Sequence, residues 1–361
     1  MRKHNNGNSI AGHLNSDHFV RFCAAEEPTA EQFYEYFRIA FANSDLNYPV
    51  SVHIGVYDLC EEGCDSYSMS YKAHLAQQSV KGNYSKAIAY YQKGMMQSTR
   101  EEQQLLGEVE RAIDEKQFEL WFQTQYDYEE KRIVGAEALV RWRHPTRGLL
   151  MPGTFVPLLE QSKQITMLDH AVWEQAAEYI KESMNCGLTV PIAVNVSQVD
   201  ICNSNVCEKL IAIVRKYDIP PALLHVEITE SAFVNDAAKL AEEVSGLKKA
   251  GFTVEMDDFG AGYSSLGSLM NMDIDILKID RKLVSEIESG EQKSLDILKA
   301  VVQMAHTLNI TPIAEGVEEK SQADYLSQIG CRYMQGFYFS KPLDKKTFEA
   351  LVNRAETGDM E

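Results

Sequence analysis

No uninterrupted apolar run in this chain approaches the ~18 residues that a membrane-spanning helix needs. The basic start Met1-Arg2-Lys3-His4 leads into Asn5-Asn6-Gly7-Asn8 and not into an apolar core, so it does not have the form of a secretory signal. On these two absences the chain reads as soluble and cytoplasmic, with no membrane segment. Basic charge is scarce as well: 35 Lys and Arg stand against 53 Asp and Glu, a formal charge of −18, which argues against a nucleic-acid polymer held on a basic surface. A disulfide framework is also missing, because the seven cysteines, at positions 23, 60, 64, 186, 202, 207 and 331, are odd in number and scattered. That pattern suits reduced thiols. Cys60 and Cys64 could form half of a zinc site, but no second Cys or His pair accompanies them.

What is present is ordinary globular material, 45% hydrophobic and 24% charged over 361 residues, enough for one large core or two domains. The character changes near residue 100. Between Glu101 and Lys116, Leu105, Val109 and Ile113 recur at helical spacing among charges, which predicts a helix that links or opens a second domain. The chain is therefore divided into residues 1–100 and 101–355. Beyond the helix, apolar runs at Phe118 to Tyr126, Ile133 to Trp142, Val190 to Val196, Leu223 to Thr229, Phe252 to Asp257, Ile274 to Ile279, Thr311 to Ala314 and Arg332 to Phe339 alternate with amphipathic stretches. Asp169 to Cys186 and Asp236 to Ala250 are examples of the latter. Eight strands in ~250 residues predict an α/β fold of (β/α)8 TIM-like barrel type. Only the first two runs lack a helix between them, so the short turn Asp127 to Arg132 predicts one antiparallel strand.

In such a barrel, functional groups gather at the C-terminal ends of the strands, and polar residues interrupt the apolar runs there. Glu137, Asn195, Glu227, the adjacent Asp257 and Asp258, Lys278, Asp280, Glu315, Glu318 and Gln335 all lie at or near strand ends. Singly, each could be a satisfied core carboxylate, a turn cap or a neutralising lysine. Together, five or six carboxylates with one lysine at one barrel mouth leave a large uncompensated charge. Divalent cations would remove it, and a donor set of Asp, Glu and Asn oxygens without His or Cys favours magnesium or manganese.

These motifs carry a family resemblance. Glu137-Ala138-Leu139-Val140-Arg141-Trp142 resembles the sequence that names the EAL domain, the module that linearises cyclic di-GMP. The likeness runs over roughly residues 101 to 350, through Asn195-Val196-Ser197, Glu227-Ile228-Thr229-Glu230-Ser231, Asp257-Asp258-Phe259-Gly260, Lys278-Ile279-Asp280, Ala314-Glu315-Gly316-Val317-Glu318 and Gln335-Gly336-Phe337. The ordered set is far more specific than any one member. The resemblance implies two Mg2+ or Mn2+ ions, one held by Glu137, Asn195, Glu227 and Asp257, the second approached by Asp257, Asp258 and Glu315. It places Lys278 beside the attacking water and phosphate, and Gln335 on a bound water or phosphate oxygen. Glu230 and the loop from Phe259 to Leu266 order the site and communicate with a homodimer partner. Gln123, Arg141, Asp280 and Glu318 are the expected substrate contacts. The implied reaction is hydrolysis of cyclic di-GMP to linear pGpG by two-metal chemistry. The alternatives are a receptor that binds cyclic di-GMP without cutting it, and a barrel enzyme that cuts another phosphodiester. Thr124 replaces a proline usual in the family, and Ala261 stands where Thr is common; neither is a ligand.

The front hundred residues resemble a GGDEF domain, the diguanylate cyclase module, in partial form. Leu14-Asn15-Ser16-Asp17-His18-Phe19-Val20 falls at its motif, but the two glycines are Asn15 and Ser16 and the glutamate is His18. Without the glycines the backbone cannot approach a triphosphate, and without the acid a metal ligand is missing. Val50 to Val56 and Ala73 to Tyr91 resemble its closing strand and helix. The half that precedes the motif in that family is absent, so the segment is expected to be an incomplete α+β remnant without cyclase activity.

Overall fold

The computed structural model describes residues 9–15, 17–23, 29–42, 50–59, 64–81, 86–203, 205–230, 232, 237–261 and 272–357. They form two compact units, Met1–Gln104 and Leu105–Glu361.

In the first unit, β1 (Ser9–Asn15) and β2 (His18–Cys23) form an antiparallel hairpin, followed by α1 (Ala30–Ala42). Strand β3 (Ile54–Val56) pairs in parallel with β4 (Ile88–Tyr90) across α2 (Ser66–Gln78). The stretch from Leu14 to Val20 runs from the end of β1 into β2, and its Ser16 lies outside the described residues. So does the stretch from Cys60 to Gly63. Helix α3 (Met95–Asp114) begins earlier than the periodicity suggests and buries Leu105, Val109 and Ala112.

In the second unit, β5 (Phe118–Asp127), β6 (Arg132–His144), β8 (Ile192–Val196), β9 (Leu224–Thr229), β10 (Val254–Phe259), β11 (Ile276–Ile279), β12 (Thr311–Ala314) and β13 (Tyr333–Gln335) close into a barrel. Two short strands, β7 (Gly148–Leu150) and β14 (Leu343–Asp344), attach to its wall. Strands β6 and β8 to β13 run parallel along the wall, whereas β5 pairs antiparallel with both β6 and β13. The expected antiparallel strand is therefore β5, turned back by a polar hairpin too short for a helix.

Helices α4 (Pro152–Ser162), α5 (Ile165–Asn185), α6 (Gln198–Asn203), α7 (Val206–Tyr217), α8 (Ala237–Ala250), α9 (Arg281–Ser289), α10 (Gln292–Thr307), α11 (Lys320–Gln328) and α12 (Lys345–Thr357) follow the strands. Their apolar stripes bury residues such as Trp173, Leu210, Leu240, Val302 and Phe348 against the barrel wall. Continuous apolar runs suit strands covered in this way.

The last expected strand is shorter than its apolar run. After Gln335 the chain crosses the backbone of Val317: the Val317 N–H donates to the Gln335 carbonyl at 3.1 Å and the Tyr338 N–H to the Val317 carbonyl at 2.9 Å. A Cβ on Gly336 would lie 2.2 Å from the Val317 oxygen, so only glycine fits there. Phe337 is left exposed. None of the described cysteines is bridged to another described cysteine, and among the described residues no helix is long and apolar enough to cross a membrane.

Candidate active site

Each barrel strand delivers its polar residue from inside an apolar run, and the closed register brings these residues together. Lys278 on β11 is fully buried. Its Nζ lies 2.8 Å from Glu315 Oε1, 2.9 Å from Glu227 Oε1, 3.2 Å from Glu137 Oε2 and 3.3 Å from Asp257 Oδ1. Gln335 Nε2 donates to Glu137 Oε2 at 2.7 Å and to Gln123 Oε1 at 3.4 Å. Asn195 Nδ2 donates to the other Glu137 oxygen at 3.2 Å.

The end of β10 is unusual backbone. Asp258 has φ +60°, a left-handed conformation uncommon away from glycine and concentrated at functional sites. It lets the Asp258 N–H donate to Asp257 Oδ1 at 2.9 Å while the Asp258 side chain faces solvent. Carboxylate oxygens of Asp257, Asp258 and Glu315 lie within 4.8 Å of one another. Glu230 accepts from the Gly260 N–H at 3.3 Å and donates its own N–H to the Asp257 carbonyl at 2.9 Å. Of the loop assigned to ordering the site, residues 262–266 lie outside the described residues, as does Ser231.

Charge is out of balance here. Five carboxyl groups (Glu137, Glu227, Asp257, Asp258 and Glu315) surround one ammonium, and Arg141 adds a buried guanidinium within range of Glu137. Burial, with Asp257 and Glu137 close by, pushes Glu315 up to about 8 despite Lys278. Burial and the Glu137 charge push Glu227 well above the carboxylate range, and burial raises Asp257 and Asp258. Glu137 goes the other way: burial opposes it, but the Lys278 charge and the Gln335, Lys278 and Asn195 hydrogen bonds hold it below its ordinary value. Burial likewise works against the Lys278 ammonium, and its carboxylate neighbours outweigh that and hold it well above the lysine range.

The donor set fits hard divalent cations. Both carboxylate oxygens of fully buried Glu227 lack a hydrogen-bond partner among the described residues; the 2.9 Å approach of Lys278 is an ion contact without hydrogen-bond direction. Orphaned buried oxygens, an all-oxygen cluster and surplus negative charge are together what Mg2+ or Mn2+ would satisfy.

Other expected contacts are less central. Arg141 stacks over Trp121 at 5.7 Å and donates to its neighbour's carbonyl, leaving its buried Nε without an acceptor among the described residues. Asp280 caps α9, accepting from the Lys282 N–H at 2.9 Å, and adds negative charge near Asp258. Glu318 is exposed, and its backbone N–H donates to Gln322. Sequence reasoning also missed a pair beneath the cluster: His225 Nδ1 lies 2.6 Å from Glu255 Oε1, with Glu255 fully buried. Strand alternation held the signal, since each stands two residues before a cluster acid, Glu227 and Asp257.

The family model described as the EAL domain matches residues 106–342. The chain belongs to the EAL-domain family. This EAL domain is similar to the signaling protein YkoW of Bacillus subtilis, 30% identical over 90% of this chain and 40% of the relative. It is also similar to the cyclic di-GMP phosphodiesterase RocR of Pseudomonas aeruginosa, 30% identical over 67% of this chain and 62% of RocR. Among solved structures, the PaMucR phosphodiesterase in complex with c-di-GMP superposes with a TM-score of 0.65 and 31% identity, covering 68% of this chain and 99% of that one. The EAL enzyme Bd1971 in its cGMP-bound form gives 0.66 and 30%, covering 72% of each chain. The chain spans half or less of the length of relatives such as YkoW and MucR.

Proposed function

We propose that this chain hydrolyses cyclic di-GMP to linear pGpG, lowering the level of that second messenger. The observation that carries the reading is the convergence of Glu137, Glu227, Asp257 and Glu315 on buried Lys278, with Asn195 on Glu137, Asp258 beside Asp257 and Glu315, and the Glu227 oxygens without a hydrogen-bond partner among the described residues. Relatives named as cyclic di-GMP phosphodiesterases support it.

Glu137, Asn195, Glu227 and Asp257 would hold one Mg2+ or Mn2+, and Asp257, Asp258 and Glu315 a second. Such ions supply Lewis acidity, favouring hydroxide over water near neutral pH and offsetting charge on a phosphodiester. The water oxygen forms a bond to phosphorus in line with the 3′ oxygen, the P–O3′ bond breaks, and a proton ends on the departing 3′ oxygen. Lys278 keeps a fixed positive charge beside the place where negative charge accumulates. Gln335 and Gln123 fix the Glu137 side of the pocket, and Glu230 fixes the turn after Asp258. The buried Arg141 Nε is a donor for a phosphate or guanine oxygen. We assign Asp280 and Glu318 to the outer edge of the substrate site, and a homodimer formed through the EAL domain to the partner. The front unit fits the proposal as a GGDEF remnant without cyclase activity.

The test is product chromatography of cyclic di-GMP incubated with the full chain in Mg2+ or Mn2+, beside Glu137→Ala and Asp257→Asn and with cyclic di-AMP as competitor. Turnover is expected to yield pGpG, to fall at least ~100-fold in both variants and to resist cyclic di-AMP. Equal turnover by Glu137→Ala would overturn the ligand assignment, and preferential cleavage of cyclic di-AMP would overturn the substrate.

A further inference from the structure

A second buried pair of acids takes no part in the chemistry above. Asp169 on α5 is 8% exposed and Asp200 on α6 is 0% exposed, with Asp200 close enough to perturb the Asp169 carboxyl. Burial, followed by the Asp200 side chain and its charge, pushes the Asp169 carboxyl well above its ordinary value.

Bonds of both acids converge on Ser197. Its N–H donates to Asp169 Oδ2 at 3.1 Å, its Oγ donates to Asp200 Oδ2 at 2.7 Å, and the Asp200 N–H returns to Ser197 Oγ at 3.2 Å. Ser197 lies two residues beyond Asn195. One helical turn after Asp169, on the same face of α5, fully buried Trp173 donates its indole N–H to the Asn195 carbonyl at 3.0 Å. The backbone is thus gripped both at Asn195 and just past it, while the Asn195 amide reaches Glu137 at 3.2 Å. Apolar side chains of similar volume could fill the same space at lower desolvation cost, but they could not accept from both the amide and the hydroxyl of Ser197.

We propose that Asp169 and Asp200 are positioning residues: through Ser197 they fix the backbone that aims the Asn195 amide into the carboxylate cluster, and so set the affinity of that cluster for a divalent cation. This rests on the reading of Asn195 as a cation donor. The pair acts at a distance from substrate, so its signature is metal affinity.

The test is a titration of the full chain with Mn2+ alone, following free Mn2+ by electron paramagnetic resonance. Asp169→Ala and Asp200→Ala are expected to weaken Mn2+ binding about tenfold or more. Asp169→Asn should stay close to wild type, because its amide donates to Asp200 and its carbonyl accepts from the Ser197 N–H. Ser197→Ala cuts only the hydroxyl link and serves if an alanine variant of the pair does not fold; it should weaken binding in the same direction. Asn195→Ala is the reference. Wild-type affinity in Asp169→Ala, Asp200→Ala and Ser197→Ala alongside weakened binding in Asn195→Ala would overturn the positioning role and leave the ligand assignment standing, even if the melting temperatures fell. Unchanged affinity in Asn195→Ala would overturn the ligand assignment and the positioning role with it.

Discussion

Replacing Lys278 by methionine removes the buried ammonium from among four carboxyl groups while keeping most of the side-chain volume. At contacts of 2.8 to 3.3 Å, each pair in which the carboxyl group is ionised is worth about 5 kcal/mol of gross attraction at an effective dielectric constant of ~20. Most of that gain is offset by the cost of taking the charges out of water. Removing one partner of a buried pair leaves a net loss of about 3–5 kcal/mol. For a unit of this size each kcal/mol moves the melting temperature by about 2–4 °C, so Lys278→Met freed of metal with EDTA should melt about 6–20 °C below the wild type at neutral pH. Two controls give the loss its electrostatic signature. Added Mn2+ should recover much of it, because the ions replace the missing positive charge, and the deficit should shrink as falling pH protonates the carboxyl groups. A melting temperature within about 2 °C of wild type in EDTA would show that Lys278 is not the counter-charge of the cluster.

Glu315 gives a pH prediction of definite sign. Its carboxyl titrates at about 8 in the folded chain against an ordinary 4.5, so its contribution to stability is complete below about 4.5 and is lost as pH rises through 8. Thermal melts in EDTA should therefore fall from pH 6 to 8.5 and fall less in Glu315→Gln; parallel profiles would refute the assignment. Gly336→Ala forces a Cβ against the Val317 backbone, and urea unfolding should show a loss of about 1–3 kcal/mol or more, with turnover falling as Gln335 moves; a wild-type midpoint would contradict the close crossing. Glu230→Ala releases the Gly260 amide, and initial-rate measurements should show activity reduced about tenfold with melting little changed. Undiminished activity would detach Glu230 from the site.

The barrel was legible because most of its strands are short, continuous apolar runs separated by amphipathic helices, and the donor residues break those runs, most of them near the C-terminal ends. Glu137, Asn195, Glu227, Asp257 and Lys278 could all be picked out in this way, and the structure brings them to one place. Apolar pattern alone overestimates β13, because Phe337 to Phe339 are as hydrophobic as a strand yet turn away at the Val317 crossing. The attached strands β7 and β14, three and two residues long, are too short to leave a periodic signal. Glu318 and Asp280 sit in motifs beside cluster members, and the sequence does not reveal that the first side chain is exposed and that the second caps a helix. The pairs His225–Glu255 and Asp169–Asp200 join residues 30 and 31 positions apart in the chain. Such pairings depend on register and helix docking, which a single sequence does not reveal.

The carboxylate cluster is proposed to cut cyclic di-GMP and not merely to hold it. The most direct measurement follows bound and free nucleotide by chromatography over time, with the full chain, cyclic di-GMP and Mn2+, and an EDTA control. The expected result is steady conversion to pGpG over many turnovers, abolished by EDTA. Cyclic di-GMP that binds but is recovered intact in Mn2+ and in Mg2+ would contradict it, and would make the chain a receptor.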